Sequence, residues 1–307
     1  MVGLAEFVMR GRWQALLVTM IGAASTVFCW ISAAVIALVT LRKGAGSGAW
    51  LIMWALLPAG ALAVVFGDSG PLTLLTGTAL LALVLRASVS LSLTVLASVG
   101  VGFLAGLAFM VFGQQYLAAL AEMLQQFVAD LRQGADGESQ VALQFGTTAI
   151  AGMLGAGTAL MAVLSLLLAR YWQAALYNPG GFGEEFRALR YPVGATAGMV
   201  IAGLILASLN PQLQTWAMIC FIPLTFAGLA LVHSWAAARG RGGIWLTWFY
   251  IAWLILDPLK LVVVFFAIAD SWFDFRQRWA QREERRRLRK ERREADEGDD
   301  DGDDTDA

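Results

Sequence analysis

The sequence predicts an all-α fold: a polytopic bundle of transmembrane helices followed by a charged C-terminal tail. Three observations predict it. Of 307 residues, 58% are hydrophobic and 15% charged, against about 45–50% and about 25% in soluble domains. The charge is segregated: 10 of 22 Lys+Arg lie between Arg276 and Arg293, and 12 of 23 Asp+Glu lie from Glu283 onward, so the first 275 residues hold 12 basic and 11 acidic residues. Finally, apolar runs near the ~20 residues that cross a bilayer core of about 30 Å recur along the chain. Eight such stretches stand out: 13–41, 50–66, 71–85, 88–112, 145–169, 193–209, 215–232 and 243–275. This pattern excludes a soluble enzyme, a secreted disulfide scaffold and a free nucleic-acid-binding protein. The lipid bilayer is the one certain partner.

Stretch 13–41 follows Arg10 and Arg12 as a signal peptide would. It runs on past Ala23 and Ala24 to Leu41, which reads as an anchor. Its centre, Gly22-Ala-Ala-Ser-Thr26, is a point where the helix can break. Stretch 243–275 is too long for one crossing: 33 helical residues would measure about 50 Å. It also carries Asp257-Pro258, and proline ends or kinks a helix at the preceding residue. Both end stretches are therefore expected to be helical hairpins, which makes eight to ten segments in all.

Positively charged loops stay on the cytoplasmic side. Arg10/Arg12, Arg42/Lys43, Arg86, Arg170/Arg187/Arg190, Arg239/Arg241 and the Arg276–Arg293 run flank the stretches in an order that puts them all inside. The connections 67–70, 113–144 and 210–214, with only Arg132 among them, fall outside. This gives a multi-pass protein of the bacterial inner (cytoplasmic) membrane with both termini cytoplasmic.

Between spans, residues 114–133 place Tyr116, Leu117, Leu120, Met123, Leu124, Phe127, Val128 and Leu131 at helical spacing among Gln, Glu and Asp. That is an amphipathic helix, too polar to span, expected as an external cap. At the other end, 276–295 mixes Glu and Arg at i,i+3 and i,i+4 spacing, as in a basic juxtamembrane helix. Residues 296–307 are nearly all Asp, Glu and Gly, the composition of a disordered acidic tail.

Small residues mark close helix contacts. Gly102-x-x-x-Gly106, the Gly152/Gly155/Gly157 group and Gly194-x-x-x-Gly198 predict three helices packed backbone to backbone, and Ala33-x-x-x-Ala37 offers a docking face for another membrane helix. Trp13, Trp50, Trp172, Trp245, Trp248, Trp272 and Trp279 stand near segment ends, as an interfacial aromatic belt does. Cys29 and Cys220 sit in apolar runs as buried hydrophobes, and one histidine, His233, cannot build a metal site. No metal or cofactor is expected.

Ionisable residues inside a membrane point to function. Asp257 and Lys260 share a helix face at i,i+3, and they are either a self-neutralising pair or a ligand or ion site. The cytoplasmic connection 170–192 is longer than reversing the chain requires. Asn178-Pro179-Gly180-Gly181 is a strong turn. Around it Tyr171, Trp172, Tyr177, Phe182, Phe186 and Tyr191 alternate with Arg170, Gln173, Glu184, Glu185, Arg187 and Arg190. Glu184 or Glu185 is expected to pair with Arg170, Arg187 or Arg190. The segment reads as an interfacial structural element or as a docking or gating surface.

This segment, with Asn178, Pro179, Gly180, Gly181, Phe182, Glu185 and Phe186, and the closing run Asp270, Asp274, Phe275, Arg276, resembles the YybS-like family of bacterial membrane proteins of unknown function. The resemblance spans about residues 5–280 and leaves the acidic tail outside. It implies an architecture remotely similar to the substrate-capture subunits of energy-coupling-factor transporters and to the cell-shape protein MreD. It assigns no catalytic residue.

Two functions follow from these readings. A small-molecule binding or transport-associated membrane subunit would carry an outer cavity roofed by 114–133. It would draw energy from other membrane subunits, because the chain holds no Gly-x-x-x-x-Gly-Lys-Ser/Thr phosphate loop. The alternative is a non-transporting scaffold or regulator that docks a cytoplasmic protein through 170–192 and the tail. Paired metal-ligating histidines, a Ser/Lys dyad and paired membrane aspartates are absent from the sequence, so an enzyme is not expected.

Overall fold

The computed structural model describes residues 2–134, 146–240, 242–279 and 281. Among these residues the chain is helical throughout, with no strand. It divides into two compact units, 1–226 and 227–307.

In the first unit, α1 (Val2–Arg10) leads into α2 (Arg12–Ala23) and α3 (Cys29–Lys43). The expected break in the first stretch is thus present, at residues 24–28. Ser32 Oγ of α3 donates to Thr19 O of α2 at 2.8 Å, and Lys43 Nζ reaches Met9 O at 3.4 Å. The two arms therefore run antiparallel, and the basic residues at their ends come together. Then follow α4 (Ala45–Phe66), α5 (Gly70–Ser88), α6 (Leu91–Phe112), the amphipathic α7 (Gln114–Gly134), α8 (Thr147–Tyr177), the short α9 (Gly181–Arg187), α10 (Val193–Leu209), a 3₁₀ turn (Pro211–Leu213) and α11 (Gln214–Ala238).

The bundle is organised around α3. Ala33 to Leu38 are all 0% exposed, because α2, α4, α5 and α8 pack around this helix. Its two most central hydroxyls are neutralised by backbone bonds, Ser32 as above and Thr40 Oγ1 to Ile36 O at 2.7 Å. Ala33 and Ala37 are consequently internal packing positions and present no face to another membrane helix. In the first unit a sharp backbone approach joins α6 and α8. A Cβ on Gly155 would stand 2.5 Å from Gly102 O and 3.1 Å from Gly106 N. The third glycine pair behaves differently: nothing lies within 4 Å of a Cβ at Gly194 or Gly198. That part of α10 is open, and its close contact is instead Gly203 against the Phe221 ring.

Among the described residues five helices are long and apolar enough to cross a membrane: α4, α5, α6, α8 and the stretch Pro211–Ala238. The sixth candidate is a bent pair in the second unit, α12 (Gly242–Ile255) and α13 (Asp257–Phe273), turned by 115° at the Asp257-Pro258 break. Of the eight to ten segments expected, five or six are thus long and apolar enough to cross. The first stretch is cut into arms of 12 and 15 residues, and α10 has 17, about 25 Å of helix. Of the C-terminal region, the basic helix and acidic tail expected over 276–307 lie outside the described residues beyond 281.

Candidate functional site

One end of the first unit gathers its basic residues. The Arg86 guanidinium donates to Thr40 O at 3.2 Å and Leu41 O at 2.9 Å, closing the C-terminus of α3. Carbonyl oxygens at a helix end are unpaired and carry negative partial charge, which a guanidinium satisfies. Arg42 lies over the Tyr177 ring at 4.0 Å, and Arg12 over Trp50 at 6.0 Å. Arg190 N meets Ser92 Oγ, near the start of α6, at 3.4 Å. The sequence held a signal for the first of these: Arg86 and Asp68 are the only charges between residues 44 and 113.

The connection 170–192 forms a folded corner at this end. Residues 170–177 are not loop, as expected, but the last two turns of α8. That helix has 31 residues, about 46 Å at 1.5 Å per residue, so it outruns a bilayer core of about 30 Å. Asn178 N donates to Ala174 O at 2.8 Å and stops the helix. Gly180 takes φ +89°, a left-handed conformation that suits glycine, and α9 folds back. Arg170 Nε and Nη2 both donate to Glu185 Oε2, at 2.9 and 2.5 Å, and Arg170 Nη1 donates to Gln173 Oε1 at 2.7 Å. Phe182 packs edge-on against Tyr171 and stacks on Phe186. The expected pairing of Arg170 with a glutamate is therefore present, to Glu185.

The corner has two faces. Trp172, Leu189 and Tyr191 turn inward and are nearly fully buried, which removes Trp172 from the aromatic belt. Trp172 Nε1 and the Tyr191 hydroxyl have no hydrogen-bond partner among the described residues, and burial pushes the Tyr191 hydroxyl far above its usual range. Tyr171, Tyr177, Asn178, Pro179, Gly180 and Glu184 are exposed, while Gln173, Gly181, Phe182, Glu185, Phe186, Arg187 and Arg190 are half-buried. A double-mutant cycle with Arg170→Ala and Glu185→Ala is expected to give a coupling of about 1 kcal/mol, shrinking as salt is raised, because the pair keeps about a quarter of its exposure. Denaturation of the purified single and double variants measures it.

At the opposite end, the space beneath α7 is filled. Leu117 and Ala121 of α7 pack into a cluster with Phe109, Ile150, Trp216 and Ile219, and Trp216 Nε1 donates to Thr148 O at 2.9 Å. Beside this cluster an open cleft of about 680 Å³ lies between the ends of α4 and α6 and the start of α7, where Gln114, Gln115 and Tyr116 line it.

In the second unit, Asp257 and Lys260 pair at 2.6 Å on the kink with the carboxylate 88% exposed. The two side chains neutralise each other in an exposed position. The closing run forms a tight knot. Asp270, 2% exposed, lies 3.3 Å from Arg276 Nε and accepts from Phe275 N at 3.0 Å. Asp274 caps α13 at φ +47°, and its side chain accepts from Gln277 N at 3.3 Å. Arg276 Nη2 reaches Ala227 O at 3.4 Å. The residues singled out at 270–276 are therefore a structural corner in which a buried carboxylate is neutralised. Among the described residues no group of three or more His, Cys, Asp or Glu is placed to hold a metal.

Fold and site together define a multi-pass helical membrane protein with a built corner at its basic end. No protein-family model matches the chain, and no curated protein or solved structure shows significant similarity to it.

Proposed function

We propose that this is a non-transporting scaffold of the bacterial inner membrane, with both termini cytoplasmic, that docks a cytoplasmic protein on the α8–α9 corner. The observation that carries the reading is the corner itself. An ion pair, a left-handed glycine and three packed rings hold α9 against the projecting end of α8, so exposed Tyr171, Tyr177, Pro179 and Glu184 are presented on a rigid support. Preorganised aromatic groups lose little freedom on binding and make effective anchors. The filled core beneath α7 weighs against an enclosed ligand site there. The resemblance to the YybS-like family is retained as a proposal of descent.

The test is crosslinking in native membranes followed by purification of the tagged full chain. With Glu184→Arg, at an exposed position outside the ion pair and the packed rings, recovery of the partner is expected to fall about tenfold, with yield and thermal stability unchanged. Unchanged recovery refutes the docking reading. The open cleft beside α7 favours a second reading, a small-molecule binding or transport-associated subunit. A bound small molecule that co-purifies and is lost on Gln115→Trp would establish it.

A further inference from the structure

The second unit contains a groove that the docking reading does not use. Because the chain turns by 115° between α12 and α13, the two helices splay from the kink and leave a wedge of about 620 Å³ against the last turns of α11. This volume lies within the range of about 300–1,000 Å³ found for ligand pockets. Leu231, Trp235, Phe249, Val262, Phe266 and Trp279 wall it. Gly228 permits the close crossing behind it, since a Cβ there would collide with the Val263 carbonyl.

Charge is confined to one feature. Of thirteen lining residues only Arg278 is ionisable, and it is exposed. A second guanidinium, Arg239, lies 4.2 Å over the ring of the wall residue Trp235, which in turn packs on Trp245 at 4.5 Å. Tryptophans of this kind settle at headgroup depth. The groove thus joins an apolar slot to a rim carrying two cations and no carboxylate among its lining residues. That combination complements an amphiphile with an aliphatic chain and an anionic head.

We propose that the groove is a binding site for one acidic phospholipid, its acyl chain lying between α12 and α13 and its phosphate held by Arg278 and Arg239. A zwitterionic lipid would fill the same slot but place a cation beside the two guanidinium groups. A protein helix would match the walls but not the rim. The basic run Arg276–Arg293 also attracts anionic lipid, through diffuse surface charge, so the test has to separate a site from a charged tail.

The full-length protein, in a neutral detergent, is titrated with phosphatidylglycerol or with phosphatidylcholine of identical acyl chains, and bound lipid is counted by native mass spectrometry. The wild type is expected to retain one phosphatidylglycerol about tenfold more tightly than phosphatidylcholine. Arg239→Ala with Arg278→Ala should bring the two lipids to parity. Val262→Trp, at a half-exposed wall position, should abolish retention of both while leaving every tail residue in place. Equal binding of the two lipids by the wild type, or tight phosphatidylglycerol binding that survives Val262→Trp, overturns the proposal. So does a second copy of the chain that is seated in the groove and displaced by Val262→Trp.

Discussion

Replacing Asp270 by alanine is expected to destabilise the second unit by about 3 kcal/mol. The carboxylate is 2% exposed and its partner Arg276 14% exposed, so removing it takes the opposite charge away from a largely buried guanidinium. It also removes the acceptor from the part-buried Phe275 N, which adds a smaller loss. Asp270→Asn keeps an acceptor for Phe275 N but not the charge, and should lose less. Arg276→Leu should be about as costly as Asp270→Ala, because it leaves the carboxylate uncompensated. The double variant Asp270→Leu with Arg276→Leu is expected to be milder than the sum of the single changes, since two apolar side chains of similar volume leave no buried charge. Thermal unfolding of the purified proteins in detergent decides it. Additive losses would mean that the two groups act separately and that the ion pair does not hold the corner.

The second large effect is expected at Gly155. Its Cβ would meet backbone atoms of α6, Gly102 O at 2.5 Å and Gly106 Cα at 3.2 Å. Backbone atoms of a packed helix cannot swing aside as a side chain can, so the two helices must separate along their length. Gly155→Ala is expected to cost about 1–3 kcal/mol and Gly155→Leu more. The same helix supplies the control. Gly157 has nothing within 4 Å of its would-be Cβ, and Gly157→Ala should be neutral or gain up to about 1 kcal/mol from helix propensity. The measurement is the thermal midpoint of the three variants. A loss at Gly157 equal to that at Gly155 would show that helix contact is not the cause.

Much of the fold was legible because helix breaks have chemical signatures. Asp257-Pro258 marked the kink between α12 and α13, and the small and hydroxyl residues at 22–26 marked the turn between α2 and α3. The α8–α9 corner was legible in part: the Asn178–Gly181 turn and an ion pair between one of Glu184 and Glu185 and one of Arg170, Arg187 and Arg190 follow from the residues, whereas the choice of Arg170 with Glu185 and the continuation of α8 through Tyr177 do not. Nothing between Arg170 and Tyr177 distinguishes a polar helical extension from a loop. The central position of α3 was also hidden. In lipid, a helix facing acyl chains and a helix buried among others are both apolar all round, so composition does not separate them. The same degeneracy explains the glycines, since the spacing of Gly194 and Gly198 matches that of Gly102 and Gly106 while only the latter pair meets a neighbour. Trp172 was misplaced for a related reason, because nearness to a segment end in sequence does not fix the direction of a ring.

The central position of α3 has a consequence for how the protein is made. This helix leaves the ribosome before α5 and α8, which enclose it and are synthesised up to about 130 residues later. The bundle therefore cannot close in the order of translation. Until α8 is complete, α3 lacks one of the helices that enclose it, and its hydroxyls are bonded to α2 or to its own preceding turn. A nascent chain halted before residue 147 should consequently be inserted but unpacked, open to proteases and quality control at its centre. Completion of α8 is the step at which it becomes resistant.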